Sequence, residues 1–284
     1  MNASRTLVRV IESLPTSDGA GVKLRRSLGS QRGLYLDPFL MLDEFYSDDP
    51  QDYLAGFPPH PHRGFETVTY MLDGHLRHED HLGHRGDLGP GGVQWMTAGR
   101  GIIHSEMPQQ TAGRMRGFQL WINLPAREKM KPAAYRDIPA GQIPTVPLPG
   151  GGEARVIAGR FGETRGPVNG RGELSTDPLY LDVHLPAGAA FEAPLPSGYN
   201  AFAYLYEGSL SIDGKALPLR AAGVLSADGE LRARAGETGA RFLLLAARPL
   251  REPVVQYGPF VMNTREEIEQ ALADYRDGRF TQAA

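Results

Sequence analysis

The chain has 284 residues, of which 41% are hydrophobic, so it can form one large hydrophobic core or two ordinary ones. Its formal net charge of -3 provides no broad cationic surface, which argues against direct binding to nucleic acid or to an anionic membrane. Cysteine is absent, which excludes disulfide bonds and thiolate metal sites and leaves nitrogen and oxygen side chains as metal ligands.

The amino-terminal segment, MNASRTLVRVIESL, lacks an apolar stretch next to a basic start, so it does not have the pattern of a secretory signal peptide. No run of about 18 apolar residues occurs anywhere in the sequence, which argues against a transmembrane helix. We therefore expect a soluble, cytoplasmic protein that does not bind membranes.

Short runs rich in β-branched and aromatic residues recur along the chain and are separated by turn-forming residues. The sequence contains 35 glycines and 23 prolines, and these residues punctuate the runs. The clearest runs are residues 66–71, 118–122, 179–183 and 241–245. Many short strands with turns between them predict an all-β fold, either a sandwich or a barrel.

A stretch rich in proline and glycine, residues 139–152, divides the chain nearly in half. Because such a composition sustains neither a helix nor a strand ladder, we interpret the stretch as a linker. It separates two predicted β units at residues 1–138 and 153–262, and residues 263–284 are expected to form a terminal helix and tail.

The two halves of the chain are related by an internal repeat. Residues 60–74 match residues 194–208 at a constant offset of 134, so that glycine, aromatic, tyrosine, acidic and glycine positions coincide. A self-match of this kind indicates duplication of one β-barrel unit. The second copy has prolines in place of His60 and His62, so a histidine site is expected in the first half only.

One helix is predicted near the carboxyl end of the chain. Thr264, followed three residues later by Glu267, has the pattern of a capping box, and Gly278 is a suitable residue to end the helix. The apolar residues between them fall on one helical stripe: Ile268, Ala271, Leu272 and Tyr275.

Histidine is concentrated in one segment, because seven of the eight histidines lie between residues 60 and 104. Two short motifs frame this segment, His-Pro-His at residues 60–62 and His-Ser-Glu at residues 104–106. In an extended strand alternate side chains share a face, so each motif presents two ligand groups on the same side. Three imidazoles and one carboxylate would leave open positions on an octahedral metal, which is typical of a catalytic site.

Longer segments around these motifs resemble the cupin superfamily and, more closely, the pirin family. The His-x-His pair followed by Glu66, and a later Gly-x-x-His that ends at His104, are the two halves of the cupin pattern. Four segments look like pirin sequences: residues 60–70, 93–108, 117–125 and 258–264.

The resemblance implies a fold, a cofactor and a set of ligands. The implied fold is a bicupin, two tandem antiparallel β-barrels of the jelly-roll type, with one non-haem Fe2+ in the amino-terminal barrel and none in the carboxyl-terminal one. Pirins hold the metal through both histidines of the first motif and the histidine and glutamate of the second. Carried over to this sequence, the metal ligands are His60, His62, His104 and Glu106. Mn, Co and Ni accept the same nitrogen and oxygen ligands, so the metal in the cell is left open.

Glu66 competes with Glu106 for the carboxylate position, because in many other cupins the glutamate after His-x-His is a ligand. Strand parity places Glu66 on the face of His60 and His62. We favour a supporting role, in which Glu66 accepts a hydrogen bond from a ligand imidazole or from Arg63.

A further group of histidines, His75, His78, His81 and His84, recurs every third residue. Glycines interrupt any helix that could align these side chains, and in a strand a step of three residues alternates between faces. We therefore predict a solvated hairpin instead of a second metal site. Aromatic residues in strands mostly pack, so Trp95 and Trp121 are expected in the barrel core.

The resemblance also implies an activity. Some pirins resemble quercetinases, which open the central ring of a 3-hydroxyflavone with loss of carbon monoxide. The implied protein is then a quercetin 2,3-dioxygenase type of oxygenase that acts on a flavonol-like small molecule. In this hypothesis the four ligands hold iron, and Glu106 is also catalytic because it accepts the proton of the substrate hydroxyl.

Two alternatives remain open. Pirins are also described as regulators, in which the oxidation state of the iron changes a surface that docks on a transcription factor or a metabolic enzyme. A cupin epimerase or isomerase without metal chemistry is the other alternative, but such sites do not need three histidines and a carboxylate. We expect a monomer, because a duplicated barrel already covers its own inner sheet face.

Overall fold

The computed structural model describes residues 4–282, which form 24 strands and one α-helix. The first strands are β1 (Leu7–Glu12), β2 (Leu14–Asp18), β3 (Val22–Arg26), β4 (Phe39–Ser47), β5 (Phe57–His62), β6 (Phe65–Asp73), β7 (Leu76–Asp80) and β8 (Arg85–Leu88). They are followed by β9 (Val93–Thr97), β10 (Ile102–Pro108), β11 (Met115–Asn123), β12 (Ala134–Ile138), β13 (Thr145–Pro147), β14 (Glu153–Ala158), β15 (Arg160–Phe161) and β16 (Thr164–Arg165). The last elements are β17 (Leu179–Leu185), β18 (Ala190–Pro194), β19 (Asn200–Ile212), β20 (Lys215–Leu217), β21 (Ala221–Leu225), β22 (Glu230–Ala247), β23 (Val255–Tyr257), β24 (Phe260–Met262) and α1 (Arg265–Arg276).

The predicted all-β class is confirmed, and each of the four runs identified in the sequence lies within one strand. The outer ends of the predicted domains, residues 1–3 and 283–284, lie outside the described residues. At 12 residues α1 is the longest helix in residues 4–282, well short of the about 20 residues that a membrane-spanning helix needs.

The chain divides into two compact units. The N unit contains residues 15–35, 39–140 and 250–282, and the C unit contains residues 4–14, 36–38 and 141–249. The division near residue 140 falls inside the predicted linker, but each unit also takes a segment from the far end of the chain. The amino-terminal segment joins the C unit because β1 pairs with β21, a long-range pairing that the sequence pattern does not reveal.

The N unit consists mainly of two antiparallel sheets. The larger sheet has the strand order β12-β9-β6-β11-β4-β3-β2, and the smaller has the order β5-β10-β7-β8. Along β11 the alternation of side chains is clear: Phe118 and Leu120 are fully buried on one face, whereas Gln119 and Trp121 on the other face line a cavity. The inner face of the larger sheet therefore carries the polar groups of the candidate site.

The C unit is built around one large sheet with the strand order β1-β21-β19-β22-β17-β14-β13, joined at its sides by β18 and β20. Its core consists mainly of alanine, leucine, valine and phenylalanine side chains, most of them from these strands. The expectation that residues 139–152 support no strand is wrong, because β13 pairs with β14 through three residues. Edge pairing of this kind is compatible with a proline at the end of the strand.

The internal repeat is visible in the secondary structure. β6 and β19 occupy corresponding positions of the two matched segments, each after a glycine with positive φ: Gly64 at 91° and Gly198 at 75°. Only glycine takes up such angles without strain, which explains why the residue is kept in both copies.

The predicted terminal helix is confirmed as α1. The Thr264 hydroxyl accepts a hydrogen bond from Glu267 N, and the Glu267 carboxylate accepts one from Thr264 N, which completes the capping box. Ile268 and Ala271 are buried against Phe260 and neighbouring residues, whereas the rest of the predicted stripe is partly exposed. The helix packs within the N unit and supports the turn that follows β5.

Candidate metal centre

Three histidines from two adjacent strands converge in the N unit. β5 pairs with β10 in antiparallel register, which places His60 directly opposite His104. The ring centroids are 4.4 Å apart for His60 and His104, 4.6 Å for His60 and His62, and 5.0 Å for His62 and His104. One ring nitrogen from each histidine lies within 4.8 Å of the other two, so a single ion can contact all three.

The hydrogen bonds around these rings leave nitrogen atoms for a ligand. His60 Nδ1 lies 2.8 Å from Pro58 O and must donate to it, so the lone pair of His60 is on Nε2. Among residues 4–282, Nδ1 of His62 and both ring nitrogens of His104 are buried and have no hydrogen-bond partner. Since buried polar atoms are normally satisfied, these atoms fit a site in which a metal ion completes their bonding.

The electrostatics of the site favour the neutral form of His62 and His104. Burial, together with the neighbouring His60, lowers the pKa of His62 well below its ordinary value. Burial and the adjacent histidines lower the pKa of His104 in the same direction. Neutral imidazole is the form that binds a metal, so the shifts suit a ligand role.

Glu106 lies beside this group and outside the set of atoms that converge within 4.8 Å. It is buried, lines the same cavity, and its Oε1 lies 2.8 Å from Thr69 Oγ1. Thr69 Oγ1 is also 2.6 Å from the side-chain amide of Gln119. The atom of Gln119 that lies there is Oε1, so the Thr69 hydroxyl has two acceptors within reach and, with one proton, donates to one of them at a time.

Glu66 does not face the histidines, which corrects the parity argument. The chain turns at Gly64, where a β-carbon would collide with the carbonyl oxygen of Val261, and strand parity does not continue through such a turn. Phe65 contacts the His62 ring at 5.1 Å, so Glu66 points to the other face of β6. There it accepts a hydrogen bond of 2.7 Å from Thr97 Oγ1, and burial raises its pKa.

His78 is the second correction. Three of the four histidines in the predicted hairpin are exposed, and the hairpin itself exists as β7 and β8. His78, however, is buried opposite Glu106 in the pairing of β10 with β7, and its ring centroid is 4.9 Å from that of His104. Burial lowers its pKa. The pairing of β7 with β10 buries His78, and the sequence pattern does not show which strand pairs with β7.

A buried lysine that the sequence analysis did not identify holds the turn after β5. Lys129 Nζ donates to Gly64 O at 2.7 Å, to Asn123 Oδ1 at 2.6 Å and to Val261 O at 2.9 Å. Burial lowers the pKa of Lys129 to about 7. No sequence signal marks this residue, because two of its three partners, Gly64 and Val261, come from distant parts of the chain.

Arg63, immediately after the His-Pro-His motif, is fixed by the terminal segment. It forms an ion pair of 2.7 Å with Asp274 of α1, donates to the carbonyl oxygens of Arg100 and Phe280, and stacks over the Phe280 ring. Residues 258–264, which resemble pirins, thus directly precede α1, the helix whose Asp274 holds Arg63 at the end of β5.

The histidines open onto a cavity of about 590 Å³ in the N unit. Its walls are mainly apolar, and Trp121, which we expected in the core, is half-buried and lines the cavity with its ring 5.3 Å from His62. The remaining polar lining includes Asp18, Arg26 and Asp43. A cavity of this size with a few polar groups is typical of a small-molecule site.

Both halves of the chain match family models. The model described as "Pirin" matches residues 21–122, and the model described as "Pirin C-terminal cupin domain" matches residues 180–281. A protein of Pseudomonas aeruginosa named "putative quercetin 2,3-dioxygenase" is 56% identical over 98% of this chain and 99% of its own. Human pirin is 41% identical over 98% of this chain and 95% of its own. The crystal structure of a quercetin 2,3-dioxygenase from Acinetobacter baumannii superposes with a TM-score of 0.90 at 33% identity, covering 98% of this chain and 99% of that one.

Proposed function

This chain belongs to the pirin family and has its two-cupin architecture, and from that premise we propose that it is a dioxygenase of the quercetin 2,3-dioxygenase type that acts on flavonol-like substrates. The observation that carries the proposal is the convergence of three buried or half-buried imidazoles at a cavity large enough for a small aromatic molecule. The names of two similar proteins, one 56% and one 33% identical, favour the same reaction class.

The ligand set of the proposal is His60, His62, His104 and Glu106, and the metal is Fe2+. The unsatisfied nitrogens of His62 and His104 fit this role, and Glu106 reaches the same cavity from the strand that carries His104. When bound, the metal supplies a Lewis acid and a redox-active centre with positions open to exogenous ligands.

Glu106 is also the proposed catalytic residue. Thr69 holds Oε1 in place, which leaves Oε2 to accept the proton of an acidic hydroxyl on the substrate. Gln119 Oε1, 2.6 Å from Thr69 Oγ1, is a second acceptor for the Thr69 hydroxyl and lies on the same face of the sheet. Trp121 and Phe57 line the cavity and exclude water from a flat aromatic ring that binds between them.

The test is aerobic consumption of quercetin by protein stripped of metal and reloaded with Fe2+ under anaerobic conditions. We expect turnover in the wild type and its loss in His62→Ala. The exposed His75 provides a matched control, and His75→Ala should keep the wild-type rate because it removes an imidazole of the same unit away from the converging group. Reloading with Mn, Co and Ni in parallel identifies the metal that supports the reaction.

Equal rates in the wild type and His62→Ala would contradict the proposal. Iron that binds stoichiometrically without consumption of any flavonol would also contradict the oxygenase function, and it would favour the regulatory alternative.

A further inference from the structure

We propose that Asp43 and Arg26 form a hydroxyl-binding subsite in the cavity, which takes the hydroxylated outer ring of a neutral, flat aromatic ligand. The identity of the ligand rests on the proposed function, but the subsite is argued from contacts that are independent of any metal.

The subsite belongs to a row of polar side chains that crosses the larger sheet of the N unit. The register places Arg26 opposite Asp43, Asp43 opposite Gln119, and Gln119 opposite Thr69. All four line the cavity, as does Glu106, which is bonded to Thr69. Since neighbouring strands are about 4.8 Å apart, Asp43 lies roughly 10 Å from Thr69 across the cavity floor. The central-ring and outer-ring hydroxyls of a flavonol are closer together than this, and a hydrogen bond of about 2.8 Å at each end accounts for the difference.

Asp43 is held as an acceptor in this row. It is 2% exposed, and Arg26 binds it in a bidentate manner, with Nε 2.8 Å from Oδ1 and Nη2 2.7 Å from Oδ2. Each carboxylate oxygen has two lone pairs, so one position on each oxygen remains for a ligand hydroxyl. Burial raises the pKa of Asp43 to about 6, so the group is mostly ionised at pH 7.5 and accepts hydrogen bonds.

The charges around the cavity select the chemical class of the ligand. Three carboxylates, Asp18, Asp43 and Glu106, line the cavity with the single guanidinium of Arg26. Arg26 is already bound by Asp43 and, at 2.6 Å, by Asp18. In the metal-free cavity an anionic ligand would meet net repulsion, whereas neutral hydroxyl groups can donate to the carboxylates. The apolar side chains of Leu24 and Phe45, which also line the cavity, suit the faces of an aromatic ring.

The test compares two flavonols that differ only in the outer ring, quercetin with its two hydroxyls and galangin with none. Affinity is measured for the metal-free protein through quenching of tryptophan fluorescence, since Trp121 lines the cavity. We expect the wild type to bind quercetin about tenfold more tightly than galangin, and Asp43→Asn to bring the two affinities within about twofold.

Glu44→Gln is the matched control. Glu44 is the next residue of the same strand, is equally buried, and contacts Arg116 at 3.3 Å, but it is on the other face and does not line the cavity. This variant should keep the wild-type preference for quercetin. In Asp43→Asn the guanidinium of Arg26 still has Asp18 as a partner, which limits the damage to folding.

The wild-type comparison alone decides the matter if Asp43→Asn does not fold, because equal affinities for the two flavonols would overturn the subsite. An unchanged preference in a folded Asp43→Asn variant would overturn it as well. The binding assay separates the two proposals. A protein that prefers quercetin to galangin but does not consume quercetin retains the subsite and rejects the oxygenase function. A protein that consumes quercetin but binds both flavonols equally retains the oxygenase function and rejects the subsite.

Discussion

The substitution Thr69→Val tests how Glu106 is held in the metal centre. Thr69 is 2% exposed, and its hydroxyl lies 2.8 Å from Glu106 Oε1. Valine keeps the shape of the side chain but removes the hydrogen bond to the carboxylate, which is worth about 1.5 to 3 kcal/mol. Since a factor of ten corresponds to about 1.4 kcal/mol, metal affinity should fall roughly 10- to 100-fold, in the range found when an outer partner of a ligand is removed.

The dissociation constant for Fe2+ is measured anaerobically by competition with a chelator of known affinity. Thr67→Val is the matched control, because Thr67 is equally buried on the same strand and face but lies opposite Trp121 instead of Gln119. It should bind metal like the wild type. If Thr69→Val binds Fe2+ within twofold of the wild type, the hydrogen bond from Thr69 does not support Glu106 as a metal ligand.

Three further predictions concern stability, measured as the free energy of unfolding in urea. The pKa values of His62 and His104 lie below the ordinary 6.5, so the unfolded chain takes up protons first, and metal-free protein should lose up to about 1.4 kcal/mol per histidine for each pH unit below about 6.5. His62→Asn removes one of these two groups, so its free energy of unfolding should depend less steeply on pH than that of the wild type. The same pH dependence in both proteins would contradict a lowered pKa of His62. Lys129→Met should destabilise the protein by roughly 1 to 3 kcal/mol for each buried oxygen left without a donor, and an unchanged urea midpoint would show that these bonds contribute nothing. Thr264→Ala should cost about 1 kcal/mol through loss of the helix cap, whereas Thr264→Ser should be nearly neutral; equal losses in both would implicate packing instead of the cap.

Local patterns were sufficient for the parts of the structure that depend on neighbours in sequence. The alternation of side chains in a strand placed His60 and His62 on one side, and they do converge there with His104. The capping box at Thr264 and Glu267 could be predicted in the same way, because all of its atoms lie within one helical turn.

The errors arose where a side chain's surroundings depend on distant parts of the chain. Glu66 was placed by parity, but the turn at Gly64 moves it into the other sheet of the N unit. His78 was expected in solvent, but the pairing of β7 with β10 buries it. The contact of Thr69 with Glu106 joins residues 37 positions apart, and no periodicity in the sequence encodes it.

The row of polar side chains across the larger sheet, Arg26, Asp43, Gln119 and Thr69, also depends on strand pairing that the sequence does not show. In the sequence Asp43 is one of two adjacent acidic residues in β4, and the other, Glu44, has the same charge and is equally buried. Only the register of β3, β4 and β11 shows that Asp43 faces the cavity beside Gln119 and that Glu44 does not.

The most direct test of the account is elemental analysis of protein purified without chelators and, in parallel, of metal-free protein reloaded with Fe2+ and desalted. We expect one transition-metal ion per chain in the wild type and its loss in a folded His104→Asn variant. A wild type that retains no metal after reloading, or a variant that retains as much as the wild type, would contradict it.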